Sequence, residues 1–204
     1  EGIRRFWIEH TKRCREIADA MGKAQNDPSI MNIWVHDGCK DVSVNHMLYR
    51  QLLKESLDEI FAEKKEWMKD CIEGKIFGMG LESFTVGSQD FYTAYAAKNN
   101  MMMTIDTGHY HPTEVVSDKI AAMLPFHEKI ALHVTRGVRW DSDHVVLFDD
   151  ETKERLLTYI ETTFESGKSV IYYEALYKEF IDDFSCHRIN NVEMLKTYLA
   201  YIND

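Results

Sequence analysis

The chain has 204 residues, with 24 Lys+Arg against 34 Asp+Glu, a formal net charge of −10, 45% hydrophobic residues and 12% aromatic residues. That composition belongs to a folded globular chain of about one domain and excludes a disordered tail or a fibrous repeat. The acidic balance argues against a nucleic-acid or anionic membrane surface, both of which need clustered Lys and Arg, and it is the usual setting of carboxylate-rich divalent metal sites. No apolar run approaches the ~20 residues that span a bilayer, and Glu1-Gly2-Ile3-Arg4-Arg5-Phe6 has no apolar stretch suited to a signal peptide. Four cysteines, Cys14, Cys39, Cys71 and Cys186, are widely and irregularly spaced. They predict neither a disulfide framework nor a zinc knuckle and fit a reducing, cytoplasmic compartment. The chain does not open on Met, so we expect it to begin partway through a longer gene.

In chain order, residues 3–24 read as an amphipathic helix with Ile3, Phe6, Trp7, Ile17 and Met21 near one face, and Asn26-Asp27-Pro28 breaks it. Residues 30–35 form an apolar strand. A second helix is expected from Met47 to about Met68, and the next strand over Lys75–Gly80. Ser88 caps a helix reaching Ala97, and Met101–Asp106 is a buried strand ending in a carboxylate. Pro112-Thr113-Glu114 opens a helix running to about Leu124, followed by the strand Lys129–Val134 with its His133. Four strand–helix units with apolar strands and no period-2 polarity predict an α/β fold with a parallel sheet buried on both faces. Such units build an open doubly wound sheet or a (β/α)₈ barrel, and four are too few to close a barrel. No GxGxxG or GxxxxGK[ST] follows a strand, so a nucleotide site has no support. The last fifty residues differ: 168–173 could be a strand, while 174–184 and 192–202 read as amphipathic helices rich in Tyr.

In parallel α/β folds chemistry collects at the C-terminal ends of strands. Here those ends carry Glu73 beside Lys75, Asp106 and His109 three apart across a Gly turn, His133, and the loop Asp141-Ser142-Asp143. Each has an ordinary reading when taken alone. Asp-x-Asp suits a solvated turn, Glu73 and Lys75 could be an exposed pair, and His133 could be a hydrogen-bonded core residue. His36, His46 and His127 read as surface or hydrogen-bonded histidines, and Met101-Met102-Met103 as core filling. The recurrence of acids and imidazoles at successive strand ends favours a metal site, with donors that suit Mn²⁺, Mg²⁺ or Zn²⁺.

Several stretches resemble the L-rhamnose isomerase family in sequence, order and spacing: Met31–Asp41 with its Asn-Ile-Trp and Asp-Gly-Cys-Lys-Asp, Glu73–Gly78, Glu82–Ser88, Asp106–Glu114 and Arg139–Val146. The similarity is near-continuous over residues 3 to about 155. It implies a partial (β/α)₈ barrel over 1–155, an aldose–ketose isomerase acting on L-rhamnose to give L-rhamnulose, and a homo-oligomer, a tetramer in the family. It implies two divalent cations, commonly Mn²⁺, with Mg²⁺, Co²⁺ or Zn²⁺ as alternatives. By position, Glu73 would bridge the two ions, with Asp106 and His133 on the structural ion and His109, Asp141 and Asp143 on the catalytic one. Lys75 would sit beside the substrate oxygens, with Trp34 and His109 also contacting the sugar, and Lys75, Asp141 and Asp143 would carry the catalysis. Two dications can hold neighbouring sugar oxygens and polarise the carbonyl, while a Lys stabilises negative charge on oxygen.

The chain also departs from the family pattern. The N-terminal barrel strands of the family are absent, and its later Leu-Asp-Phe-Phe-Asp-Ala-Ser strand, which supplies one more metal carboxylate, has no counterpart after Asp149–Lys153. Gly137 stands where Pro is common. Residues 156–204 are expected to form a mainly helical tail. A gene fragment, a fusion and a frameshifted assembly all fit, so the expectation is an isomerase piece with impaired activity. The alternative is a catalytically silent half-barrel remnant, or one fused to a helical interaction module.

Overall fold

The computed structural model describes residues 1–35, 37, 39, 44–74, 84–110 and 113–133, together with the backbone of 171–172 and 188–189. Helix α1, Gly2–Gln25, ends where Asn26 turns left-handed (φ 54°) and returns its N–H to the carbonyls of the last turn. Strand β1, Ser29–Ile33, follows, and then helix α2, His46–Ile60, capped by the Asn45 side chain accepting from the Leu48 N–H. Strand β2 is Met68–Glu73, helix α3 is Gln89–Asn99, strand β3 is Met102–Asp106, helix α4 is Val116–Met123 and strand β4 is Ile130–His133. Ser88 caps α3 by accepting from the Phe91 N–H, as its sequence position predicts. In the tail, β5, Ile171–Tyr172, falls inside the strand expected over 168–173 and pairs antiparallel with β6, Arg188–Ile189. The two helices expected in the tail lie outside the described residues.

Strands β1 to β4 form one curled, all-parallel sheet in the order β1-β2-β3-β4, a half-barrel with helices. An order without reversal has no switch point of the doubly wound kind and is the order of a (β/α) barrel. The helix expected over 47–68 stops at Ile60, because the chain turns at Phe61 and re-enters the sheet at Met68. The strand of that unit is therefore Met68–Glu73, and the expected strand over 75–80 lies outside the described residues. Helix α4 also starts later than expected, after a turn at Thr113 and Glu114.

The strands alternate more than their sequences suggest. Met31, Ile33, Ile72, Met103, Ile105, Ile130 and Leu132 face the helices and join Leu57, Tyr92, Tyr95, Ala96 and Ile120 in the main core. The opposite face carries a small cluster of Cys71, Met102 and Ala131 with Ile30 against it, and above that layer its residues are polar. The expectation of strands without period-2 polarity thus gives way to one apolar face and one face that is small or polar.

Helix α1 departs further. Ile3, Phe6, Ile17 and Met21 are each more than 60% exposed and Trp7 is 42% exposed. The buried stripe is instead Ile8, Arg15 and Gly22, seven apart on the other side of the helix. Gly22 permits the contact, because a Cβ there would lie 1.8 Å from the Trp67 carbonyl oxygen. Arg15 fixes it. Its guanidinium donates to both oxygens of Asp70 at 2.8 Å and to the carbonyls of Ile60 and Glu63, and it lies 5.4 Å from the Phe61 ring centroid. One buried cation therefore joins α1, the end of α2 and β2.

Candidate metal centre

The C-terminal ends of the strands bring four of the expected residues together. Strand register sets Glu73 beside Thr104 and Asp106 beside His133, so alternation turns all of these side chains to the polar face. Glu73, Asp106 and His109 are 3–4% exposed, and the His133 side chain is 20% exposed. His133 Nδ1 lies 2.7 Å from Asp106 Oδ2 and 3.8 Å from Glu73 Oε1. His109 Nδ1 lies 3.3 Å from Glu73 Oε1, and its Nε2 lies 3.5 Å from Asp106 Oδ2. One ligand atom each from Glu73, Asp106 and His133 falls within 4.8 Å of the others. His109 enters from a 3₁₀ turn, Thr107–His109, that directly continues β3.

The outer oxygens of both carboxylates are already held. Asp106 Oδ1 accepts from the Gly108 N–H at 2.7 Å. Glu73 Oε2 accepts from the Asn32 side-chain amide, whose oxygen accepts from the Thr104 hydroxyl at 2.9 Å. Thr104 Oγ1 in turn lies 2.9 Å from Cys71 Sγ. Burial pushes the Cys71 thiol up to about 12, so it stays protonated and donates to Thr104. A directed chain thus runs from Cys71 through Thr104 and Asn32 to Glu73 and fixes which oxygen of Glu73 remains for the site.

The charge balance suits a cation. Burial pushes the Glu73 carboxyl above its ordinary range, with the negative Asp106 adding to the shift and both imidazoles opposing it. Burial alone would lower His133, but its contacts with Asp106 and Glu73 outweigh that and push it up to about 11. Two acids buried side by side demand positive charge nearby. A proton on His133 meets part of that demand, and a divalent ion bound by both carboxylates and the neutral imidazole meets it in full. The donor set therefore fits a hard or borderline dication.

Neighbouring segments order the approach to the site. The Cys39 N–H donates to the Phe84 carbonyl at 2.8 Å, and Asp37 Oδ2 accepts from the Gly87 N–H at 2.8 Å, so the stretches after β1 and β2 are tied together. Gly74 follows Glu73, and a Cβ there would lie 2.9 Å from the Gln89 Cα, so α3 can close directly against the end of β2. Trp34 follows β1 at the same end of the sheet and also lines a cavity of about 330 Å³ between α1 and α2. Lys75, Asp141 and Asp143 lie outside the described residues, as does His36. Glu73 is not the exposed residue that a simple ion pair with Lys75 would make it. His127 is buried with Nδ1 3.2 Å from the Met101 carbonyl, in line with a hydrogen-bonded histidine, whereas His46 is half-buried and stacks on Phe84, its Nε2 without a hydrogen-bond partner among the described residues. Asn32, Thr104 and Cys71 were not expected at the site. The signal they carried was their position, since Thr104 and Cys71 stand two residues before Asp106 and Glu73 on the same strands.

A family model described as L-rhamnose isomerase (RhaA) matches residues 1–180, past the stretch whose motifs carry the resemblance. The L-rhamnose isomerase of Bacteroides thetaiotaomicron is 64% identical over 154 residues, covering 76% of this chain and 37% of that protein. The L-rhamnose isomerases of Mannheimia succiniciproducens and Pectobacterium carotovorum are 55% and 51% identical over 153 and 155 residues, covering 74% and 75% of this chain and 37% of each protein. The chain thus spans little more than a third of the length of the curated relatives it matches.

Proposed function

Because the chain belongs to the L-rhamnose isomerase family, we propose that its rim of acids and imidazoles is the metal-bearing part of a site that interconverts L-rhamnose and L-rhamnulose. The observation that carries this reading is the convergence of Glu73, Asp106 and His133. Glu73 would bridge two Mn²⁺ ions, Asp106 and His133 would complete the first, and His109, Asp141 and Asp143 would hold the second. Bound there, the two ions supply Lewis acidity toward neighbouring sugar oxygens. The chain's own groups bind and orient the sugar around them. An aldose and its ketose differ by one hydrogen moved between C1 and C2 and one proton moved between O1 and O2. Lys75 holds a cationic head against the oxygen that gains negative charge. Trp34 and His109 contact the sugar and orient it. His133 must give up its ring proton to act as a ligand, so metal uptake strengthens as the pH rises.

We assign residues 1–155 to the partial barrel and 156–204 to a mainly helical tail, and place the protein in the cytoplasm as a homo-oligomer, a tetramer in the family. Turnover by this chain alone should be slight, since it spans about 37% of its relatives and the family resemblance implies that further barrel strands are needed to complete the site. Calorimetry with Mn²⁺ and a ketose-formation assay on L-rhamnose test both parts. The expected result is saturable uptake of two Mn²⁺ ions, the second of them lost in an Asp141→Ala, Asp143→Ala variant, with turnover near background. Unchanged uptake in that variant overturns the ligand assignment, and robust turnover overturns the requirement for the rest of the barrel.

A further inference from the structure

The sheet is polarised along its strands. Acids and imidazoles gather at one end, and lysines gather at the other. A cavity of about 230 Å³ at the N-terminal ends of β2, β3 and β4 is bordered by Lys64, Lys65, Lys69 and Lys129, with Asp70 and Glu128 as its acids. By alternation Lys69 is in phase with Cys71 and Glu73, and Lys129 with Ala131 and His133, so both belong to the polar face of the sheet. Met102, in the layer beneath the metal centre, also borders this cavity.

Most of the negative charge here is already matched. Arg15 takes both oxygens of Asp70, and Lys65 pairs with Glu63 at 2.6 Å. Among the described residues, Lys64, Lys69 and Lys129 make no ion pair, and Glu128 is the one lining acid left to face them. The result is a local excess of about two positive charges on a chain whose net charge is −10. A cleft lined by one sign of charge concentrates counter-ions of the other. Three ammonium groups on separate flexible stems suit the divergent oxygens of a phosphate, which carries close to two charges at neutral pH. A carboxylate carries only one charge, so the same excess of ammonium groups attracts it less.

We propose that the cavity bordered by Lys64, Lys69 and Lys129 at the base of the sheet binds the phosphate group of a small phosphorylated molecule. The cavity has room for the phosphate together with a good part of a small molecule that carries it. The site lies at the opposite end of the strands from the metal centre, so each can be emptied independently.

The test is ³¹P NMR and calorimetric titration of the full chain with inorganic phosphate and with a hexose phosphate, in EDTA so that no cation at the rim contributes. Acetate serves as the anionic control. Both phosphates should bind saturably and acetate at least about tenfold more weakly. A Lys69→Gln, Lys129→Gln variant should weaken phosphate at least about tenfold, and the Lys69→Arg, Lys129→Arg variant should keep it, with circular dichroism unchanged in both. Tighter binding of the hexose phosphate would identify a phosphorylated sugar as the occupant, and equal binding the phosphate group alone. Absence of saturable binding, equal affinity for acetate, or undiminished binding in the Gln variant overturns the proposal.

Discussion

Asp70 and Glu73 stand three residues apart on β2, and both are largely withdrawn from water, yet their surroundings are opposite in kind. Asp70 meets a guanidinium that answers both its oxygens and then uses its remaining donors on two carbonyls. Glu73 meets a second carboxylate and two imidazoles, and no Lys or Arg closes the cluster among the described residues. The first arrangement is finished by the chain itself and ties α1 to the sheet. The second is held in place by neutral hydrogen bonds and keeps one oxygen from each acid directed at a common point. A buried acid fully matched by its own chain serves stability, and a buried acid left in excess serves binding.

The largest expected effect lies on the matched side. Arg15→Ala strands Asp70 and frees two carbonyls, and urea unfolding at 25 °C should show a loss of about 3–5 kcal/mol. A loss below about 1 kcal/mol would mean that α1 is held by something other than this pair. The unmatched side should respond in the reverse sense. Glu73→Gln removes like-charge repulsion and should leave the stability of the metal-stripped chain within about 1 kcal/mol of the parent. Mn²⁺ at a hundredfold excess over its dissociation constant should stabilise the parent by about 2.7 kcal/mol and Glu73→Gln by almost nothing. Equal stabilisation of both by Mn²⁺ would erase the distinction between the two acids.

The smallest effect concerns a third acid, Glu59, which shares its surface carboxylate between Arg5 at 2.5 Å and Lys12 at 2.7 Å. Those hydrogen bonds hold it down to about 2 from an ordinary 4.5. A lowered native value contributes stability above the unfolded value and loses it as the pH falls toward the native one. Glu59→Gln should therefore be slightly less stable than the parent at pH 7, and the gap should close between pH 4.5 and pH 2. A thermal-melt series that keeps the gap at pH 2 would point to packing rather than charge. Because the pair is exposed, the gap should also shrink in salt.

Much of the site was legible in the sequence because Asp106 and His133 each terminate an apolar run, and an acid or imidazole placed there has few structural uses. The end of β2 was harder. Lys69 and Asp70 interrupt the apolar pattern of Met68–Glu73 and pushed the expected strand to residues 75–80. Neither residue is there for the core, since Asp70 serves Arg15 and Lys69 borders the basal cavity. Arg15 left no local trace at all, because its partner is 55 residues away and periodicity within α1 cannot register it. The stripe of Ile3, Phe6, Trp7, Ile17 and Met21 shows a different failure. Helical periodicity correctly places these residues on one side of α1, but it says nothing about what stands opposite, and the described body contacts the other side.

Fastening one oxygen of each rim acid to the scaffold has a consequence for affinity and for rate. A free Glu or Asp at a surface must stop rotating when it captures an ion, and each such side chain gives up about 0.5–1.5 kcal/mol in doing so. Here the Asn32 amide and the Gly108 N–H have arrested both side chains during folding. An arriving ion therefore meets donors already at rest. Asn32→Ala, which touches no ion in this scheme, should slacken the grip of the centre by letting Glu73 swing.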